Sequence, residues 1–287
     1  MISVSPEVLR PVLLRRENES HKGDYGHLLI VAGCERMPGA AVLATGAALH
    51  SGCGLVTLHS TRRALQAAVN AFPSAMLSED PGDHISIVPE HLDKYSAIAI
   101  GPGLGQDPET KDVLLKILSY ACGHSETAVV IDADALNILS GMPDWERHIP
   151  LNAVFTPHLG ELRRFEALRP IPETSADSVA RKLAGASGHG VTVLKGYHTR
   201  VFAADGKVYE NTTGNPGMAK GGSGDVLTGL IGGLLARGYP TLSAALLGVW
   251  IHGRAGDCLT EERTAEGYDS RDLIDYLWKG FHELIYD

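Results

Sequence analysis

The chain has 287 residues, with 25 Lys and Arg against 34 Asp and Glu, a formal net charge of −9 with neutral histidine. That length fits one large domain or two small ones, and 44% hydrophobic residues against 21% charged describe a core-forming globular chain. An acidic balance without a Lys/Arg cluster argues against a nucleic-acid partner, and no run approaches the roughly 18 apolar residues needed to cross a bilayer.

Taken in chain order, the first twenty residues carry charge and lack an apolar signal core, so the protein is expected in the cytoplasm. Leu28-Leu29-Ile30-Val31-Ala32 reads as a buried strand stopping at Gly33, followed by a small-residue helix over 40–51 and a strand at 55–58. A strand at 97–100 runs into Gly101-Pro102-Gly103-Leu104-Gly105, and 110–121 places Val113, Leu114, Ile117 and Leu118 at helical spacing. Strands at 128–131, 154–156 and 191–194 follow, closed by Asp132-Ala133-Asp134, Pro157-His158 with a helix from about Leu159, and Lys195-Gly196. Segments 200–203 and 207–209 flank Ala204-Asp205-Gly206, an Asp-Gly hairpin signal, and the rest reads as helices over 226–237, 242–259 and 271–285. The pattern predicts an α/β fold: one domain over 1–287, a mostly parallel sheet with helices on both faces, and a small antiparallel edge. Cys34, Cys53, Cys122 and Cys258 show neither zinc nor redox spacing and are expected as buried thiols.

Thirty-three glycines are unusual in so regular a pattern, and they gather in turns ahead of helices. The strongest is 211–225, ending Lys220-Gly221-Gly222-Ser223-Gly224-Asp225 and running directly into a helix. Glycines there let backbone N–H groups converge on one anion, which predicts a phosphate cradle, although the Walker spacing is absent. Asp225 fits two roles equally, a helix N-cap or a general base taking a proton from a hydroxyl that attacks phosphorus. Asp132 and Asp134 follow a buried strand where parallel sheets place ligands, or simply cap a helix. His158 ends another strand and is either structural or faces the same crevice, while Lys195-Gly196-Tyr197-His198-Thr199 offers a cation and donors to a diphosphate.

These residues together resemble the ADP/ATP-dependent NAD(P)H-hydrate dehydratase family, carbohydrate-kinase-related members of the ribokinase-like superfamily. The resemblance runs through seven motifs in order: Lys22-Gly23-Asp24-Tyr25-Gly26; Pro38-Gly39-Ala40-Ala41 with Ser51-Gly52-Cys53-Gly54-Leu55-Val56; Ile100 to Gly105; Asp132 to Asn137; Thr156-Pro157-His158; Leu194-Lys195-Gly196; and Gly221 to Asp225. It implies a ribokinase-like fold and repair of NADH or NADPH whose nicotinamide ring has gained water, the S hydrates NADHX and NADPHX. The ring hydroxyl is phosphorylated from ADP, or ATP, and loss of phosphate restores the double bond. Carried onto this chain, the resemblance makes Asp225 the base and the amides of Gly221, Gly222, Ser223 and Gly224 the anion hole. It places the nucleotide on Lys195, Gly196, Tyr197, His198, Thr199 and Gly224, and the hydrate on Ala40, Ala41, Gly103, Gly105, His158 and Asp225. It further implies Mg²⁺ held through phosphates and water rather than by a protein cage, a homotetramer, and a separate NAD(P)H-hydrate epimerase for the R form, with no epimerase domain fused in this chain. One departure is Leu159, which stands where relatives often carry proline. A small-molecule alcohol kinase of the same superfamily, or a noncatalytic nucleotide sensor, would share the fold; the Gly101 to Gly105 and Thr156-Pro157-His158 turns favour the dehydratase.

Overall fold

The structure is a computed structural model that describes residues 1–167 and 176–286. Ten strands form one sheet: β1 (Ile2–Val4), β2 (His27–Val31), β3 (Leu55–Thr61), β4 (Met76–Asp80), β5 (Ala97–Ile100), β6 (Ala128–Ile131), β7 (Ala153–Phe155), β8 (Val191–Leu194), β9 (Arg200–Ala203) and β10 (Val208–Asn211). Their order is β1-β10-β9-β8-β7-β6-β5-β2-β3-β4. All pairings are parallel except those of β9 with β8 and β10, so the antiparallel edge falls at the expected Asp-Gly hairpin.

The helices are α1 (Pro6–Leu9), α2 (Pro38–Leu49), α3 (Arg62–Ala71), α4 (Pro108–Gly123), α5 (Ala133–Ser140), α6 (Leu159–Ala167), α7 (Ala176–Gly185), α8 (Ser223–Ala236), α9 (Thr241–Arg263) and α10 (Ser270–Tyr286). Strand side chains alternate between two cores, as the pleat requires. Leu28, Ile30, Ala97, Ala99 and Val130 join the core under α2, α3, α8, α9 and α10. Leu29, Val31, Ile98, Ile100 and Ile131 join the core under α4 to α7.

Helix α8 is buried along almost its whole length and lies against the middle of the sheet. A Cβ on Gly229 would stand 2.0 Å from the Ala44 carbonyl oxygen, so this glycine sets how closely α8 approaches α2. Long α9 serves as cover for this face, with most of its residues buried. Three of the four cysteines are buried as expected; Cys122, on the outer face near the end of α4, is exposed. No helix among the described residues is long and apolar enough to cross a membrane.

Candidate active site

The glycine-rich segment folds so that Gly222, with φ 92°, caps α8 in the left-handed region that a side chain rarely adopts. A Cβ there would also sit 2.3 Å from Leu43 Cδ1, so both backbone and packing call for glycine. The first bond of the helix runs from the Val226 amide to the Gly222 carbonyl at 3.1 Å, which leaves the Gly224 and Asp225 amides ahead of it without a helical acceptor. With the positive end of the helix dipole, these amides form an anion-binding corner. The loop is tied down by Ser270 Oγ, which donates to the Gly221 carbonyl at 2.8 Å, and by Lys220 Nζ, which donates to the carbonyls of Ala265 and Tyr268. Asp225 is the third residue of the helix rather than its cap, which removes the capping alternative.

One lysine stands among the carboxylates at this end of the sheet. Lys195 Nζ lies 2.9 Å from Asp132 Oδ1 and 3.9 Å from Glu161 Oε2. Thr228 Oγ1 donates to the other Asp132 oxygen at 2.6 Å, so the buried Asp132 carboxylate is held from two sides. Burial opposes the charge on Lys195, but Asp132 and Glu161 outweigh it and hold the ammonium above the ordinary lysine range. Asp225 has the opposite fortune: burial first, then the negative charge of Asp132, push its carboxyl up to about 7 against the pull of Lys195. No group among the described residues donates a hydrogen bond to that carboxylate, so its oxygens stay open to an incoming hydroxyl.

The other expected residues collect around this centre. A Cβ on Gly224 would meet Lys195 Nζ at 3.1 Å, which places the α8 corner beside the end of β8. Beyond Lys195 the turn exposes Gly196 and Tyr197; Thr199 Oγ1 donates back to the Gly196 carbonyl at 3.1 Å, and His198, with φ 53°, stacks on the Tyr197 ring. Gly103, with φ 61°, faces Ala40, whose Cβ would be 2.8 Å from one built on the glycine. Ala40 is partly exposed, whereas Ala41 is fully buried beneath Gly33. The Gly105 amide donates to Asp134 Oδ2 at 2.9 Å, which ties this turn to the end of β6. His158 forms a reciprocal cap at the start of α6: its Nδ1 accepts from the Gly160 amide at 2.9 Å, and Glu161 Oε2 accepts from the His158 amide at 2.8 Å. That bond leaves the imidazole proton on Nε2, with about half of the side chain exposed.

Asp132, expected at this strand end as a ligand-facing carboxylate or a helix cap, belongs to this centre, and so do Glu161, Thr228 and His252, which had no role read from sequence. Thr228 stands three residues after Asp225 and so shares its helix face, a signal available in advance. His252 is buried on α9 with Nε2 3.4 Å from Ser223 Oγ, and burial depresses its pKa to about 4, so it stays neutral beside the anion corner. Among the described residues no group of three or more His, Cys, Asp or Glu could hold a metal ion.

A family model described as NAD(P)H-hydrate dehydratase matches residues 28–279. The ADP-dependent (S)-NAD(P)H-hydrate dehydratase of Neisseria meningitidis is 40% identical over 87% of this chain and 82% of its own length. A bifunctional NAD(P)H-hydrate repair enzyme of Moorella thermoacetica is 38% identical over 93% of this chain, which spans 51% of that longer protein. The crystal structure of the ADP/ATP-dependent NAD(P)H-hydrate dehydratase of Bacillus subtilis, co-crystallised with ATP and Mg²⁺, superposes with a TM-score of 0.81 at 31% identity, covering 99% of this chain and 98% of the other. With a matching family model, matching relatives and a shared ribokinase-like fold, the chain belongs to the NAD(P)H-hydrate dehydratase family.

Proposed function

We propose that this protein returns the S hydrates of NADH and NADPH to the intact cofactors, at the expense of ADP. The observation that carries the reading is the Asp225 carboxyl, raised to about 7, at the N-terminus of α8 next to Lys195. A base with that pKa is half ionised near neutrality, where it both takes a proton and gives it up again. Asp225 accepts the proton of the ring hydroxyl as its oxygen attacks the terminal phosphorus of ADP; the P–O bond to AMP breaks. The amides at the start of α8 hold the transferring phosphoryl oxygens, and Lys195 balances their charge. The phosphorylated ring then loses phosphate with its C–O bond and a proton from the neighbouring carbon, which restores the double bond. Phosphorylation turns hydroxide, a poor leaving group, into a good one.

The turn from Lys195 to Thr199, with Gly224, is the proposed nucleotide site. Ala40, Gly103, Gly105 and His158 line the proposed place for the hydrate, whereas Ala41 is fully buried and offers it no surface. Mg²⁺ fits as an ion carried on the nucleotide, since Asp132 is engaged by Lys195 and Thr228 and no cluster of protein ligands stands ready among the described residues. When bound, it would neutralise phosphate charge. We further propose that the protein works in the cytoplasm as a homotetramer, and that R hydrates reach it through an NAD(P)H-hydrate epimerase.

The test is a coupled assay with Mg²⁺, prepared S-hydrate and ADP or ATP in parallel, following dihydronicotinamide absorbance and inorganic phosphate together. Equal recovery of both is expected, with ADP effective. Folded protein that releases neither product with either nucleotide would overturn the proposal.

A further inference from the structure

At the opposite end of the sheet from Asp225, a cavity of about 990 Å³ opens between the segment after α1, the turn that follows α2, and α10. Four arginines line it, Arg10, Arg15, Arg16 and Arg237, and among the described residues no Asp or Glu does. This is a concentration of positive charge in a chain whose net charge is −9. Its remaining walls are largely apolar, with Leu13, Tyr239, Phe281 and Leu284 among them.

Part of this arginine cluster has a structural purpose. Arg16 donates to the Gly52 carbonyl at 2.6 Å and Arg237 to the Leu14 carbonyl at 2.6 Å, which fastens the segment after α1 to the body. Arg10 makes a longer bond, 3.4 Å, to the Glu283 carbonyl. Each bond uses one of five guanidinium donors and neutralises no charge. Among the described residues none of the four arginines pairs with a carboxylate, whereas Arg62, Arg63, Arg200, Arg254, Arg263 and Arg271 all do. Arg15 has no hydrogen-bond partner there, and the Nε of Arg237 is buried without an acceptor. A buried donor left unpaired is costly, and guanidinium forks match phosphate oxygens in pairs.

We propose that this cavity is a second binding site, for a phosphorylated small molecule with an apolar body. The arginines take the phosphate, and the aromatic and aliphatic wall takes the rest. The volume suits such a ligand, since small-molecule sites run to about 300–1,000 Å³. The site is separate from the catalytic corner: α8, 14 residues long, begins at one and ends at the other, about 21 Å apart at the helical rise of about 1.5 Å per residue.

Calorimetric titration of the full chain with naphthyl phosphate, in the presence of saturating ADP, tests this directly. One molecule is expected to bind per chain, with naphthol and inorganic phosphate each binding at least tenfold more weakly, because each offers only half of the required chemistry. Arg15→Glu, which breaks no hydrogen bond or salt bridge among the described residues, should weaken binding at least tenfold while turnover of the hydrate and the circular dichroism spectrum stay unchanged. Absence of binding would overturn the proposal, as would binding that Arg15→Glu leaves intact. Sedimentation showing that the same substitution dissociates an oligomer that binds no naphthyl phosphate would assign this face to a second copy of the chain instead, and would equally overturn it.

Discussion

The two ends of α8 carry opposite excesses of charge. At its start, Lys195 faces Asp132, Glu161 and Asp225, with Asp134 acting on Asp225 in turn, and those charges act on one another inside the protein. At its end, four arginines line an open cavity with no acid among its described walls. The buried excess is relieved by protonation: burial first, and then the charge of Asp132, raise the Asp225 carboxyl to about 7, so it holds its proton up to about neutral pH. The open excess has no such outlet, because arginine does not give up its proton; an anion bound in the cavity, as proposed, would balance it.

The largest effect should come from removing the base itself. Asp225→Asn keeps shape but deletes the proton acceptor, so kcat for hydrate repair should fall by about 10²–10⁴ while nucleotide binding measured by calorimetry survives. The same substitution should stabilise the fold. Because the folded pKa, about 7, exceeds the ordinary 3.8, wild type loses stability as pH rises between these values, up to about 4 kcal/mol in all. The gap in Tm between Asn variant and wild type should therefore be near zero below pH 4, widen towards pH 7 and remain level above it. A Tm gap that does not change with pH would show that burial does not shift this carboxyl.

Gly222→Val should cost about 10- to 100-fold in kcat/KM for the nucleotide. A β-branched residue is strained at φ 92° and would collide with Leu43, which turns the first amides of α8 away from a common focus. Full activity in a correctly folded Val variant would place the anion corner elsewhere.

Asp132→Asn tests the balance among the charges. Loss of this carboxylate removes a repulsion on Asp225 and frees Lys195 to approach it, both of which lower the Asp225 pKa. The acid limb of kcat/KM should move from near pH 7 to lower pH by about one unit, with kcat down about tenfold. An unmoved limb would exclude Asp132 as the residue that tunes the base. The smallest effect on turnover, none, belongs to Arg15→Glu at the far cavity.

Much of the catalytic end could be read from sequence, for a physical reason. Parallel strands buried on both faces spell continuous apolar runs, so Ala97–Ile100, Ala128–Ile131 and Val191–Leu194 stand out, and the polar turn after each marks the edge where ligands sit. The edge strands lack that signature. Met76–Asp80 has four of its five residues at least partly exposed, and Ile2–Val4 buries only Val4, so neither can be separated from a loop. The start of α8 is masked by Gly222-Ser223-Gly224, poor helix formers retained where backbone amides must converge, and so the helix reads three residues late and Asp225 looks like a cap. Partnerships were harder still. Lys195 lies 63 residues from Asp132, and Thr228 lies 96 from it; only the closed sheet brings the three together. The arginine cavity gathers residues from both ends of the chain and leaves no local pattern at all.

The most direct test of the account is an NMR titration of the Asp225 carboxyl in isotope-labelled protein, assigned by its absence from Asp225→Asn. The account predicts one aspartate that titrates near pH 7 in wild type. An Asp225 that titrates near pH 4, the ordinary aspartate range, would contradict it, because a fully ionised, weak carboxylate could not serve as the poised base on which the proposed reaction depends.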